Sequence, residues 1–206
     1  MIAVYHPRED TDLLVRALRA IRLSGLRVLD MGTGSGALAL ECARLGAKVT
    51  AVDIDERAVA VTDALLKREG VQAPVFQSDL FSNVAERYDL IIFNPPYLPS
   101  EGAILDPAVD GGWCGRDTIE KFLETMPEHL EEGGYSLLLV SSLNNPQDFV
   151  ERFPTLSFTP IETEKLFFET LTVLKVLPKS TYDGQSTGER YAAVDLLMES
   201  IGVFLQ

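Results

Sequence analysis

Apolar positions along this chain recur with two spacings that take turns. Leu13, Leu14, Ala17, Leu18 and Ile21 lie three and four apart, the spacing of one helix face, and Asp10 and Thr11 precede them as capping residues. After Ser24-Gly25 the apolar positions contract into short β-branched runs, then spread out again. The alternation predicts strands over 27–30, 48–53, 75–79, 89–93 and 135–140, with helices over 37–45, 56–69 and 118–132 between them. Gly46, Gly70 and the pair Gly133-Gly134 stand where those helices should stop. Strand–helix alternation of this kind predicts an α/β fold, a mostly parallel sheet with helices on both faces.

The end of the chain reads differently. Runs over 156–162 and 166–176 are both strand-like, and the few residues between them are too short for a parallel crossover. They should form an antiparallel hairpin at one side of what becomes a seven-stranded sheet. Beyond Pro178 a polar loop leads to Tyr191, Val194, Leu197, Met198, Ile201 and Leu205, the spacing of one amphipathic helix. The expected organisation is one domain over 1–206, with an N-terminal helical segment (1–25), a core (26–177) and a C-terminal extension (178–206).

Composition narrows the setting. Hydrophobic residues make up 46% and charged residues 24%, the balance of a globular protein, and no apolar stretch reaches the length of a membrane span. Two cysteines give no disulfide framework, two histidines give no zinc spacing, and the first ten residues lack a secretion-signal layout. A reducing, cytoplasmic compartment and no metal site are expected. The net charge of −13 repels phosphate backbones, which argues against direct nucleic-acid binding, and suits solubility or a basic protein partner.

Candidate chemistry gathers at the ends of four successive strands, the edge where open α/β sheets bind ligands. The first is Asp30-Met31-Gly32-Thr33-Gly34-Ser35-Gly36, where glycines admit a ligand close to backbone at a helix start. Its spacing differs from the dinucleotide fingerprint, and Asp30 opposes a pyrophosphate while suiting an ammonium group. Asp53 ends the second strand, where a carboxylate takes both hydroxyls of a ribose; otherwise it is a surface aspartate, although Asp55 suits helix capping better. Asp79 ends the third strand and suits the exocyclic amine of adenine, with Leu80 and Phe81 over the ring; a plain turn aspartate is the other reading. The fourth is Asn94-Pro95-Pro96-Tyr97. Two prolines force the chain out of the sheet in a stiff turn that holds an amide, a proline carbonyl and an aromatic ring in fixed positions. Together these positions describe a pocket for a phosphate-free adenosine bearing an amino-acid tail.

These residues resemble the class I S-adenosylmethionine-dependent methyltransferases, whose Rossmann-like sheet the predicted order matches. Within them the chain resembles the HemK-type protein glutamine N5-methyltransferases, in the short archaeal and eukaryotic branch. The likeness spans roughly residues 4 to 177, including Val4 to Thr11, Asp110 to Arg116, Asn144-Asn145-Pro146 and Glu169 to Lys175. The resemblance implies S-adenosylmethionine as cofactor, held by Thr11, Asp30, Gly32, Gly34, Asp53, Asp79, Leu80 and Asn94, with Asn94, Pro95, Pro96 and Tyr97 as the catalytic turn. It implies as acceptor the glutamine of a Gly-Gly-Gln motif in a class 1 translation release factor, and as partner a small zinc-binding activator subunit. The long connection over 101–116, around Trp113, reads as a substrate loop or as a surface loop anchored by its tryptophan. Rival readings are a lysine or adenine-N6 methyltransferase of the same fold, a non-catalytic scaffold subunit, and a nicotinamide oxidoreductase. The last is disfavoured by the glycine spacing.

Overall fold

The computed structural model describes residues 9–96 and 116–179. Its strands are β1 (Arg27–Met31), β2 (Lys48–Asp53), β3 (Val75–Gln77), β4 (Tyr88–Phe93), β5 (Leu130–Ser141), β6 (Leu156–Lys165) and β7 (Thr170–Pro178). They form one seven-stranded sheet in the order β3-β2-β1-β4-β5-β7-β6. β1 to β5 are mutually parallel, and β7 runs antiparallel to both β5 and β6, so the hairpin stands at one side of the sheet as expected. The helices are α1 (Glu9–Arg19), α2 (Ala37–Arg44), α3 (Glu56–Arg68), α4 (Asp117–Thr125) and α5 (Gln147–Arg152).

Strand residues alternate between two cores because successive side chains leave opposite faces of a sheet. Val28, Leu90, Ile92, Leu137 and Leu139 pack with Leu13, Leu14, Ala17 and Leu18 of α1 and with α2 and α3. Leu29, Ile91, Phe93, Leu138 and Val140 pack with Ile119, Phe122 and Leu123 of α4 and Phe149 of α5. Phe122 is fully buried, and its truncation to alanine should cost ~3–5 kcal/mol.

The order places a switch point between β1 and β4. From β1 the chain winds outward through β2 to β3, then returns to lay β4 on the other side of β1. Connections therefore diverge above the carboxyl ends of β1 and β4 and leave a crevice there.

Several boundaries differ from expectation. The helix predicted over 118–132 stops at Thr125, because Pro127 cannot donate to a continuing α-helix, and a 3₁₀ turn (Met126–His129) follows. β5 then begins at Leu130, so Gly133-Gly134 lies inside a strand instead of ending a helix. A Cβ on Gly134 would approach Tyr88 O to 2.9 Å, and the β4–β5 register shifts there between Tyr88 and Leu90. The glycine pair marks a bulge where two backbones come close. β3 ends two residues early, since the Ser78 hydroxyl folds the next residues into a turn: it accepts from Asn83 N–H and donates to Leu80 O. Asp10 is not a cap outside α1 but lies within its first turn. The first eight residues, Tyr97, all but Arg116 of the predicted substrate loop over 101–116, Trp113 included, and the predicted tail helix over 191–205 lie outside the described residues.

Candidate active site

The loop after β1 is tied down from below by Asp30. Its Oδ2 accepts from Thr33 Oγ1 at 2.6 Å and from Ala39 N–H at 3.1 Å. The second bond satisfies an early N–H of α2, whose first residue follows Gly36 with no side-chain cap of its own. Asp30 Oδ1 is sealed from solvent and has no partner among the described residues. Burial pushes the Asp30 carboxyl up to about 7; the two hydrogen bonds oppose that rise and the nearby Asp53 charge adds to it. Gly32 sits at φ 65, and a Cβ there would come within 3.3 Å of the Phe93 ring at the end of β4. Any side chain at that point would intrude between β1 and β4 and fill the crevice.

Asp53 joins two strand ends. Its Oδ2 accepts from Gly34 N–H at 2.9 Å, and its Oδ1 accepts from Asp55 N–H at 2.9 Å. Each oxygen keeps a lone pair for a ligand hydroxyl. Burial raises this carboxyl as well, against the hydrogen bonds that hold it down. Asp55 caps α3 as predicted, accepting from Arg57 N–H at 2.9 Å. Behind the loop, buried Thr62 donates to Gly34 O at 3.2 Å.

Past β3, Asp79 is exposed, and Leu80 adopts φ 46, a left-handed conformation that costs a branched residue ~1–3 kcal/mol. The Ser78 hydroxyl holds it there, donating to Leu80 O at 2.6 Å. Leu80 is half-buried against the core at the crevice end of the sheet. Phe81 does not serve as a ring cover: it is buried, stacked on His129 and Phe122 at 4.4 and 5.5 Å.

Asn94 leaves β4 at the crevice. Its Nδ2 donates to Asp10 Oδ2 at 3.2 Å, while its Oδ1 is sealed and without a partner among the described residues. Pro95 is buried and Pro96 half-buried. Asp10 is 2% exposed and also accepts from Thr11 N–H at 2.7 Å; Thr11 itself is buried. Hydrogen bonds thus connect Asp10 with Asn94 and Gly34 with Asp53, and Gly32 leaves room only for a hydrogen against Phe93, which brings the start of α1 and the ends of β1, β2 and β4 together. Asp79 and Leu80 stand at the next strand end along the same edge. Sequence reasoning missed the parts played by Asp10, Thr33 and Thr62. Only Asp10 carried a signal, an acidic residue beside Thr11.

Chemically this edge of the sheet gathers acceptors: the buried carboxylates of Asp10, Asp30 and Asp53 and the amide oxygen of Asn94. It repels a phosphate and suits a ligand rich in hydroxyl, amine and ammonium donors.

The Methyltransferase small domain family matches residues 8–158. A Methanocaldococcus jannaschii protein named as a protein N5-glutamine methyltransferase is 37% identical over 161 residues, which cover 75% of this chain and 81% of that one. Human Methyltransferase HEMK2 is 32% identical over 189 residues, covering 84% of this chain and 88% of that one. Against release factor glutamine methyltransferases of several bacteria the match spans only 52–56% of their length. Among solved structures, the E. cuniculi Mtq2-Trm112 complex, responsible for methylation of the eRF1 translation termination factor, is similar with a TM-score of 0.69. The identity there is 27%, over 87% of this chain and 100% of that chain.

Proposed function

Since the chain belongs to the small-domain methyltransferases, in the branch of the protein N5-glutamine methyltransferases, we propose that it methylates the side-chain amide of a protein glutamine from S-adenosylmethionine. The acceptor is the glutamine of the Gly-Gly-Gln motif in a class 1 translation release factor. One observation carries this reading: at the end of β4, on a turn stiffened by two prolines, a buried amide oxygen, Asn94 Oδ1, has no partner among the described residues.

The lining fits the cofactor. Asp53 takes the ribose hydroxyls, with Gly34 holding its carboxylate in place. Asp30 Oδ1, buried and without a partner among the described residues, suits the ammonium of the amino-acid tail, and Gly32 and Thr11 complete the set that the resemblance implies. Asp79 and Leu80 stand at the adenine end, and Asn94 lies between donor and acceptor. When bound, S-adenosylmethionine supplies a methyl group made electrophilic by its sulfonium.

A glutamine amide nitrogen is a weak nucleophile because its lone pair is delocalised into the carbonyl. Asn94 Oδ1 and the Pro95 carbonyl accept its two N–H bonds, which aims the nitrogen and favours its pyramidal form. The same oxygens stabilise the positive charge that develops on nitrogen. Tyr97, outside the described residues, is expected from the sequence to stack on the amide plane. No strong base is needed, because the product sheds its extra proton after transfer. Holding the reacting atoms in line contributes up to ~7–11 kcal/mol in ideal cases, and the Pro95-Pro96 turn is the device that holds them.

A macromolecular acceptor is consistent with the hairpin tip. β6 runs parallel to β5, so Phe167 and Phe168, 92% and 86% exposed, stand at the same edge as Asn94 and offer an apolar foothold. The Mtq2 relative occurs as a complex with Trm112, and a second small subunit of that kind, zinc-binding as the resemblance implies, belongs to the proposal. No helix among the described residues is long and apolar enough to cross a membrane, and we place the reaction in the cytoplasm beside translation.

The test is mass spectrometry of a release factor co-expressed with the chain. One added methyl on the Gly-Gly-Gln glutamine is the expected result. A methyl found only on lysine, or only on adenine in nucleic acid, would replace the acceptor.

A further inference from the structure

We propose that Asp10 is a positioning residue that decides which end of the Asn94 amide faces the acceptor. This deepens the acceptor reading above and rests on it. An asparagine amide presents a donor on one side and an acceptor on the other, and half a turn about its last torsion exchanges them. The chemistry above needs the oxygen toward the crevice. Asp10 and Asn94 are 84 positions apart, yet Asn94 Nδ2 donates to Asp10 Oδ2 at 3.2 Å. A carboxylate oxygen only accepts, so the side of the amide that meets Asp10 must be the NH₂. The oxygen is thereby turned the other way, where it is sealed from water and has no partner among the described residues.

Both Asp10 oxygens are engaged, and that makes the carboxylate specific. Oδ1 accepts from the Thr11 N–H at 2.7 Å, a backbone donor on the adjacent residue that cannot turn away. Oδ2 is the oxygen that meets Asn94. An asparagine at position 10 has one oxygen instead of two, and Thr11 N–H claims it. Its NH₂ would face Asn94, whose amide must flip to offer oxygen, leaving a donor toward the acceptor amide. The isosteric replacement therefore inverts the site while preserving shape.

The test compares wild type, Asp10→Ala and Asp10→Asn with two readouts. The first is the Asn94 side-chain amide by ¹⁵N NMR on the chain alone, its signals assigned by their loss in Asn94→Ala. In wild type one Nδ2 proton should be shifted downfield and protected by the carboxylate; both Asp10 variants should lose that shift. The second is kcat and KM on a full-length release factor, with donor affinity and thermal midpoint alongside. Both variants should lose ~10–100-fold in kcat, with KM and donor affinity near wild type. Asp10→Asn should fare no better than Asp10→Ala although it keeps the fold. A merely structural Asp10 would leave the isostere close to wild type. Asp10→Asn turning over at the wild-type rate overturns the proposal, as does an Asn94 signal that is the same in wild type and Asp10→Ala. A wild-type chain with the shifted Asn94 proton that transfers nothing to the factor sinks the acceptor reading alone, and Asp10's hold on Asn94 stands.

Discussion

Two turns leave the same edge of the sheet, each with an asparagine whose side-chain oxygen is shielded from water, and they satisfy it in opposite ways. After β5, Asn144 is fully buried and its Oδ1 accepts from Ser141 N–H at 2.8 Å. The Ser141 hydroxyl returns the favour, accepting from Leu143 N–H and donating to Glu169 at 2.5 Å. After β4, Asn94 has one partner, Asp10, and an oxygen with none among the described residues. The first asparagine closes its turn, and the second keeps a shielded acceptor without a partner among the described residues. A buried polar atom without a partner costs ~1–3 kcal/mol, so it persists where something else completes it or where geometry gives no choice. Ser136 and Thr172 inside the sheet also hold hydroxyls with no partner among the described residues, so the absence of a partner does not mark a site by itself. Asn94 is distinguished by standing at the carboxyl edge, on a turn that two prolines hold still.

The contrast can be broken by mutation. Asn94→Ala should abolish methyl transfer, a loss of at least ~10²–10³-fold, with the fold intact and donor affinity only modestly lower; near-normal turnover would remove Asn94 from the chemistry. Asp53→Ala should weaken donor binding by ~10–100-fold through loss of charge-assisted hydrogen bonds, and calorimetry showing unchanged affinity would move the ribose elsewhere. Asn144→Ala should behave in the opposite sense to Asn94→Ala. It should destabilise the chain by ~1–3 kcal/mol in chemical denaturation, while activity per folded molecule stays near wild type. A selective loss of activity there would erase the distinction between the two turns.

A final effect concerns pH. Folding raises the Asp30 carboxyl to about 7, above its value in the unfolded chain, so the folded state favours the neutral form. The stability Asp30 contributes is therefore greatest when protonated and falls as pH rises from ~4 through about 7. Asp30→Asn, neutral throughout, should be more stable than wild type at about pH 8 and no different near pH ~4. An ammonium-bearing donor favours the ionised form, so wild-type donor affinity should rise with pH across this range, by up to ~10-fold per unit. Flat affinity would separate Asp30 from the donor and leave it as the brace of α2.

Much of the fold was legible because the signals are local. The β-branched runs at Val49 to Val52 and Leu90 to Phe93 announced buried parallel strands, and Asp55 announced the start of α3. The short link before Thr170 announced the hairpin. Gly133-Gly134 misled, since a glycine pair ends a helix or admits a close neighbour with equal ease, and only β4 passing at Tyr88 decides which. Phe81 misled for a similar reason: an aromatic ring beside a candidate adenine site was drawn instead to Phe122 and His129.

The chain by itself determined which segments are strands and helices, where glycines and prolines interrupt them, and which carboxylates and amide stand at the strand ends. Those are matters of periodicity and of backbone freedom within a few residues. Tertiary structure alone decided that α1 lays Asp10 against Asn94, that Asp30 spends one oxygen on α2 and keeps the other, and that Asn144 Oδ1 has a partner where Asn94 Oδ1 has none among the described residues. Hydrogen bonds between residues far apart in sequence depend on how the layers pack, and no local pattern records which lone pair that packing leaves unused.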